Sequence, residues 1–387
     1  MRSPLRYEST CSGILGIRVL ARRIEMSDKK TKKTRPRKGK PLALDLFSGC
    51  GGLTLGLKQA GFRVLAAIES DATAVETYKA NHKGVAVKHT DIRKVSALGL
   101  MRELKLRRGR LDLLAGCPPC QGFSVLRTRN GARQNRDRRN NLVREMLRFS
   151  RAFRPKVVMM ENVPKLKGRA PFLDLCKGLR ALGYKVTHGI KDAAEYGVPQ
   201  RRRRLILLAG NRFDIPFAPP AENRRTVRKA IGRLAKAGAS GDALHDIPEK
   251  KRIPKIMKLI RDIPKNGGSR TDLPKNRQLK CHKKREGFYD IYGRMTWDNV
   301  APTITSGCFN PSKGRFLHPT ENRAITMREA ALLQSFPRSY EFDASAGKEV
   351  IAQMIGNALP PELIKRQAQQ IREAIKSFDR RKLVERE

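Results

Sequence analysis

Short apolar runs recur along the first half of the chain, at Leu42 to Phe47, Arg63 to Glu69, Val85 to His89, Leu111 to Gly116, Val157 to Glu161 and Leu205 to Ala209. Each is brief, rich in Val, Leu, Ile and Ala, and bounded by turn-forming residues, which predicts strands rather than helices. Between several of them the apolar positions repeat at helical spacing. Strands alternating with helices predict a doubly wound α/β fold, Rossmann-like, with a parallel sheet covered on both faces.

The alternation stops after Asn211. From residue 213 to about 300 the chain is rich in Lys, Arg, Pro and Gly, and a second, smaller and strongly basic unit is expected there. Helical periodicity returns at Met327 to Leu333 and again after Val350, so the chain is expected to re-enter the main domain near its end. The expected division is a basic arm over 1–40, a first domain over 41–212, the basic unit and a return segment over 213–340, and the rest of the first domain with a basic tail over 341–387. No internal repeat is present.

Charge sharpens this picture. Against 83 Lys and Arg stand 36 Asp and Glu, a net charge of +47, and such an excess calls for a polyanionic partner. No run reaches the roughly 20 apolar residues of a spanning helix, so nucleic acid is favoured over membrane. Seven cysteines, an odd number scattered through a long chain, predict free thiols in a reducing compartment, hence a cytoplasmic, nucleoid-associated protein. Lys29 to Lys40 carries eight basic residues in twelve and is expected to be a disordered arm. Met26 opens this stretch, and translation is expected to start there, with 1–25 as an upstream artefact.

Candidate chemistry gathers at the ends of the predicted strands. The first runs into Asp45-Leu-Phe-Ser-Gly49-Cys50-Gly51-Gly52, a glycine-rich turn that lets backbone approach a ligand at a helix N-terminus. Alone such a turn is equally a packing device. Glu69 ends the second strand, where it can hold two ribose hydroxyls, and Asp91 follows the third, where it can accept from an adenine amino group. Together they predict an adenosine-containing cofactor. The fourth strand delivers Cys117-Pro118-Pro119-Cys120 to the same edge; Cys120 reads as a nucleophile, while the C-x-x-C spacing also fits a redox pair or half a zinc site. The cysteines and histidines lack the paired spacing of a metal site, and no metal is expected. Glu161 ends the next strand beside the cysteine loop. In Gln200-Arg-Arg202-Arg-Arg204, strand alternation sends Arg202 and Arg204 to one face, either as a solvated basic run or as a grip on a carbonyl oxygen and phosphate.

The segments Asp45-Leu-Phe-Ser-Gly-Cys-Gly-Gly, Pro119-Cys120-Gln121-Gly122-Phe123-Ser124, Glu161-Asn162-Val163, Gln200-x-Arg202-x-Arg204 and Gln353-Met-Ile-Gly356-Asn357-Ala358 occur in the order in which the DNA cytosine-5 methyltransferase family carries them, and the chain closely resembles that family from about 42 to 370. The resemblance implies an S-adenosylmethionine-dependent methyltransferase sheet with a target-recognition domain in the basic region. It implies that Phe47 lies against the adenine, Glu69 binds the ribose, Asp91 and Ile92 flank the purine, and Asn357 closes the site, with Asp45, Gly49, Gly51, Pro119 and Ala358 completing it. Cys120 would attack carbon 6 of a flipped cytosine, Glu161 would bond the ring nitrogen, and Arg204 with Arg202 would hold the base's carbonyl oxygen. Gly122 to Arg139 would form a loop closing over DNA. Double-stranded DNA is thus the implied partner, for a monomer that a restriction endonuclease of the same specificity accompanies. A related branch that acts on transfer RNA carries Pro-Phe-Thr after the Cys-Gln pair; Gly122-Phe123-Ser124 favours DNA.

Overall fold

A computed structural model describes residues 39–119, 142–249, 251–279 and 289–384. The arm over 1–38, Cys120 and the expected loop Gly122 to Arg139 lie outside the described residues.

Seven strands form one sheet in the order β3-β2-β1-β4-β5-β7-β6: β1 (Leu42–Leu46), β2 (Arg63–Glu69), β3 (Ala86–His89), β4 (Leu113–Gly116), β5 (Val157–Asn162), β6 (Tyr184–Asp192) and β7 (Arg203–Asn211). The five strands from β3 to β5 pair in parallel. Here the parallel expectation is corrected: β7 runs antiparallel to both β5 and β6, so the sheet is mixed. The reason is the connection between β6 and β7, a single short turn of helix at Ala193–Tyr196, too short for the crossover that parallel neighbours require. The sequence reading also missed β6. As an edge strand it alternates apolar with Lys185, Thr187 and Lys191 and is mostly half-exposed, so it lacks the continuous apolar run of its buried neighbours.

Those neighbours are apolar throughout because both faces are covered. Along β1, β4, β5 and β7, residues such as Leu46, Leu114, Val158, Met160 and Leu207 face one layer. There α3 (Ala97–Glu103), α4 (Val143–Phe153) and α5 (Ala170–Ala181) supply Leu100, Met146, Phe149, Phe172 and Leu179. Their alternates Ala43, Leu113, Ala115, Val157, Met159 and Ile206 face α1 (Gly52–Gln59) and the long C-terminal α10 (Pro361–Val384) through Leu57, Leu363, Ile364 and Ile371. Each fully buried aliphatic side chain contributes about 1.5–3 kcal/mol, and a shift of one residue in any central strand would exchange the two layers. Among the described residues no helix is long and apolar enough to cross a membrane.

The basic region is knitted into this body. Val227 and Ile231 of α6 (Val227–Ile231), with Leu244, Met295 and Ile304, share a core with Cys50, with Ala74 of α2 (Ala72–Asn81), and with α8 (Met327–Leu333) and α9 (Lys348–Asn357). Helix α8 begins in a capping box, with Thr326 and Glu329 satisfying each other's backbone N–H groups. A separate small cluster joins Leu259 and Ile260 of α7 (Pro254–Asp262) to Ile263, Leu273, Tyr292 and Leu317. Its organiser is Arg294, fully buried, which donates to the carbonyls of Ile260, Ile263, His318 and Glu321.

Candidate active site

In a doubly wound sheet, ligands collect where the strand order reverses, outside the C-terminal ends of the strands. Here that point lies between β1 and β4. A cavity of about 550 Å³ opens there, lined from β1 by Phe47 to Cys50, from β2 by Glu69 to Asp71, from β3 by Thr90 to Ile92, from β4 by Cys117 to Pro119, and from α9 by Gln353, Met354, Asn357 and Ala358. Its size suits a small-molecule cofactor.

The turn after β1 is shaped by backbone constraint. Phe47 itself is left-handed at φ 63°, followed by Gly49 at 52° and Gly51 at 97°. Such a conformation is costly for a bulky residue and persists only where the surroundings enforce it. At Gly51 a Cβ would lie 2.4 Å from Nε2 of His82 and 2.7 Å from the hydroxyl of Tyr340. Those side chains grip the turn from behind. Tyr340 donates to the Cys50 carbonyl at 2.5 Å, and His82 Nε2 lies 3.0 Å from the Gly51 carbonyl. Burial, with Lys58 alongside, pushes the His82 imidazole down to about 4, so it is neutral near pH 7.

Glu69 is held ready at the end of β2. One carboxylate oxygen accepts from the Gly49 N–H at 2.8 Å, and the other from the N–H groups of Ser70 and Asp71 at 2.7 and 2.9 Å. Asp91 also lines the cavity; Arg93 clamps its carboxylate and lowers it to about 2, so it is a permanent anion. Two expected cofactor residues stand behind the wall instead. Gly51 packs as just described, and Asp45 is completely buried, accepting from the Thr54 hydroxyl at 2.7 Å. Desolvation raises Asp45 to about 8. Its position on β1 turns its side chain toward α1, and sequence spacing could not tell this from a place in the cavity.

Beside the cavity, β5 and β7 bring Glu161 and Arg204 together, an ion pair with Arg204 Nε 2.8 Å from Glu161 Oε1 and both side chains largely buried. The other carboxylate oxygen accepts from the Cys117 thiol at 2.9 Å. Sequence reasoning left Cys117 as half of a redox or zinc motif; its contact with Glu161 is what that spacing could not show. The described residues hold no cluster of three or more metal-ligating side chains. Asn162 donates to the Pro118 carbonyl at 2.9 Å and so fixes the loop that leads to Cys120.

The arginine pair is corrected. Arg202 precedes β7 and is buried, donating to the carbonyls of Ile304, Gly356 and Ala358 at 2.9–3.1 Å, while Arg204 pairs with Glu161. Strand alternation failed because β7 begins only at Arg203.

Fold and cavity together define an α/β enzyme with a nucleoside-sized site at the switch point and a buried carboxylate–guanidinium pair next to it. Comparison with known proteins gives the class its name. The family model for C-5 cytosine-specific DNA methylases matches residues 43–373, and the chain belongs to that family; it is a DNA cytosine-5-methyltransferase. It is 37% identical to the type II methylase M.HgiDII of Herpetosiphon aurantiacus over 88% of this chain and 98% of that protein. It is 34% identical to the type II methyltransferase M1.HphI of Haemophilus parahaemolyticus, covering 86% of each. Among solved structures it resembles a prophage-encoded DNA modification methyltransferase of E. coli, with a TM-score of 0.64 and 25% identity over 87% of this chain and all of that one.

Proposed function

We propose that the chain methylates carbon 5 of a cytosine flipped out of double-stranded DNA, with S-adenosylmethionine as donor and Cys120 as covalent nucleophile. The observation that carries this is the meeting, at one sheet edge, of the adenosine-sized cavity with the Glu161–Arg204 pair and the loop that leads to Cys120. The cavity lining supports the cofactor: carboxylates at Glu69 and Asp91 suit a ribose and an adenine amino group, Phe47 and Ile92 supply an aromatic and an aliphatic wall, and Pro119, Asn357 and Ala358 complete the lining. When bound, S-adenosylmethionine supplies an electrophilic methyl group.

The protein's own groups do the rest. The Cys120 thiolate adds to carbon 6 of the cytosine and makes carbon 5 electron-rich. Glu161 donates a proton to the adjacent ring nitrogen as carbon 6 is attacked, neutralising the negative charge that develops there, and takes it back when the thiolate leaves, while Arg204 holds both Glu161 and the base's carbonyl oxygen. After methylation, loss of the carbon 5 proton expels the thiolate and frees the enzyme. Unstacking the base costs a few kcal/mol, and the +47 charge supplies the phosphate affinity to offset it. The type II methylases among its relatives support a place beside a restriction endonuclease of the same specificity. Incubation of the purified chain with mixed-sequence duplex DNA, with transfer RNA in parallel, and S-adenosylmethionine labelled in the methyl group tests the reading. Label recovered as 5-methylcytosine from DNA is expected; label confined to RNA, or none, would refute it.

A further inference from the structure

Gln200 and Arg202 meet a third side chain far along the sequence, Gln334, in one buried polar cluster. Gln200, Arg202 and Gln334 are each 2% exposed or less. Gln200 accepts the Ile304 N–H at 2.8 Å and donates both to the Leu333 carbonyl and to the Gln334 side chain. Gln334 passes its own donors to the carbonyls of Ile355 and Ala358 at 3.0 and 2.6 Å. Arg202 completes the set through Ile304, Gly356 and Ala358. A guanidinium withdrawn from water is costly unless its donors are met, and here backbone carbonyls of two separate segments take its Nη1 and Nη2 donors.

Those segments matter because of where they lead. Gly356 and Ala358 flank Asn357, and Asn357 lines the cofactor cavity. Ile304 lies in the segment that brings the chain back from the basic region. That segment rests directly on α9: a Cβ on Gly356 would stand 2.4 Å from the Ser306 nitrogen. Two residues beyond Arg202, Arg204 reaches Glu161. One guanidinium therefore ties together the rim of the cofactor cavity, the return from the basic region and the base of the strand that carries the catalytic arginine.

We propose that Arg202, supported by Gln200 and Gln334, is a positioning residue that couples occupancy of the cofactor cavity at Asn357 and Ala358 to the seating of residues 303–306, and through them to the basic region that faces DNA. It acts through the backbone on either side of Asn357. The inference rests on the cavity being the S-adenosylmethionine site.

Two measurements on the full chain test it. Hydrogen exchange of the unmutated protein, with and without S-adenosylhomocysteine, is expected to show protection at 355–359 and equally at 303–306, which do not line the cavity. Protection confined to the cavity would overturn the coupling, and this arm does not depend on any variant folding. In the second, Arg202→Lys is expected to raise the Kd and KM for S-adenosylmethionine about tenfold, the effect of loosening a buried hydrogen-bonded network, with a smaller change in kcat at saturating cofactor. Arg204→Lys is expected to do the reverse, lowering kcat with little change in cofactor affinity. A folded Arg202→Lys protein that binds S-adenosylmethionine within twofold of the parent would sink the proposal. Failure of the unmutated protein to bind the cofactor at all would instead overturn the functional reading beneath it.

Discussion

The two halves of the active centre are built by different means. On the side proposed for the cofactor the cavity is lined mainly by backbone and strand-end carboxylates, fixed by a strained turn that His82 and Tyr340 grip from behind. On the side proposed for the base the groups are side chains, Glu161 and Arg204, with Cys117 bonded to Glu161, so that they satisfy one another. A site made of backbone is preformed and tunes affinity; a site made of mutually paired side chains must exchange partners during the reaction and so governs rate. Substitutions on the two sides should therefore separate cleanly in KM and kcat.

The largest effect is expected at Cys120. Cys120→Ala should abolish methyl transfer while DNA binding persists, measured by labelled-methyl transfer beside a gel-shift titration; substantial turnover would remove the nucleophile from the account. Next comes Glu161→Gln, which keeps an acceptor for Cys117 but loses the charge that pairs with Arg204. It should lower kcat by roughly 10²–10³-fold, the range seen when a transition-state hydrogen-bonding group is lost, and leave cofactor affinity within a few-fold. An equal rise in the S-adenosylmethionine KM would blur the division between the halves.

On the other side, Gly51→Ala forces a Cβ into His82 and Tyr340 at a backbone angle that L residues rarely adopt. A loss of about 1–3 kcal/mol in stability and weaker cofactor binding are expected, read by thermal unfolding and calorimetry, with kcat at saturation little changed. The smallest effect concerns Asp45. Its carboxyl is raised to about 8 by burial, so between its ordinary value near 3.8 and pH 8 the folded protein holds a proton that the unfolded chain releases. That stabilisation is complete below pH 3.8 and is eroded as pH rises toward 8. From pH 6.5 to 8 the parent should lose on the order of 1–2 kcal/mol relative to Asp45→Asn, a few degrees in Tm. Parallel Tm profiles for the two proteins would contradict it.

Much of this was legible beforehand, for physical reasons. Strands buried on both faces must be apolar throughout, so β1, β2, β4 and β5 stood out, and their C-terminal ends placed Phe47, Glu69, Pro119 and Glu161 at one edge, with Asp91 after the more exposed β3 beside them. Edge strand β6 was hidden because half of it faces solvent and its polar residues break the run. The direction of β7 was hidden because strand patterns carry no sign of direction. Arg202 was misplaced because alternation holds only inside a strand, and the cluster it joins depends on residues 334 and 356–358, contacts that no local pattern encodes. Asp45 shows the same limit from the other side, since its distance from the glycine turn is right and only its burial sets it apart.

The central claim is a covalent bond between Cys120 and cytosine carbon 6, and it can be trapped. When fluorine replaces the carbon 5 hydrogen, the final elimination cannot proceed, because fluorine does not leave as a cation. The protein would be incubated with S-adenosylmethionine and mixed-sequence duplex DNA that carries 5-fluorocytosine in place of cytosine, then digested and examined by mass spectrometry. The account predicts a methylated fluorocytosine nucleotide attached to the peptide that contains Cys120, at Cys120 itself. An adduct at Cys117, or none alongside normal methylation of ordinary DNA, would contradict it.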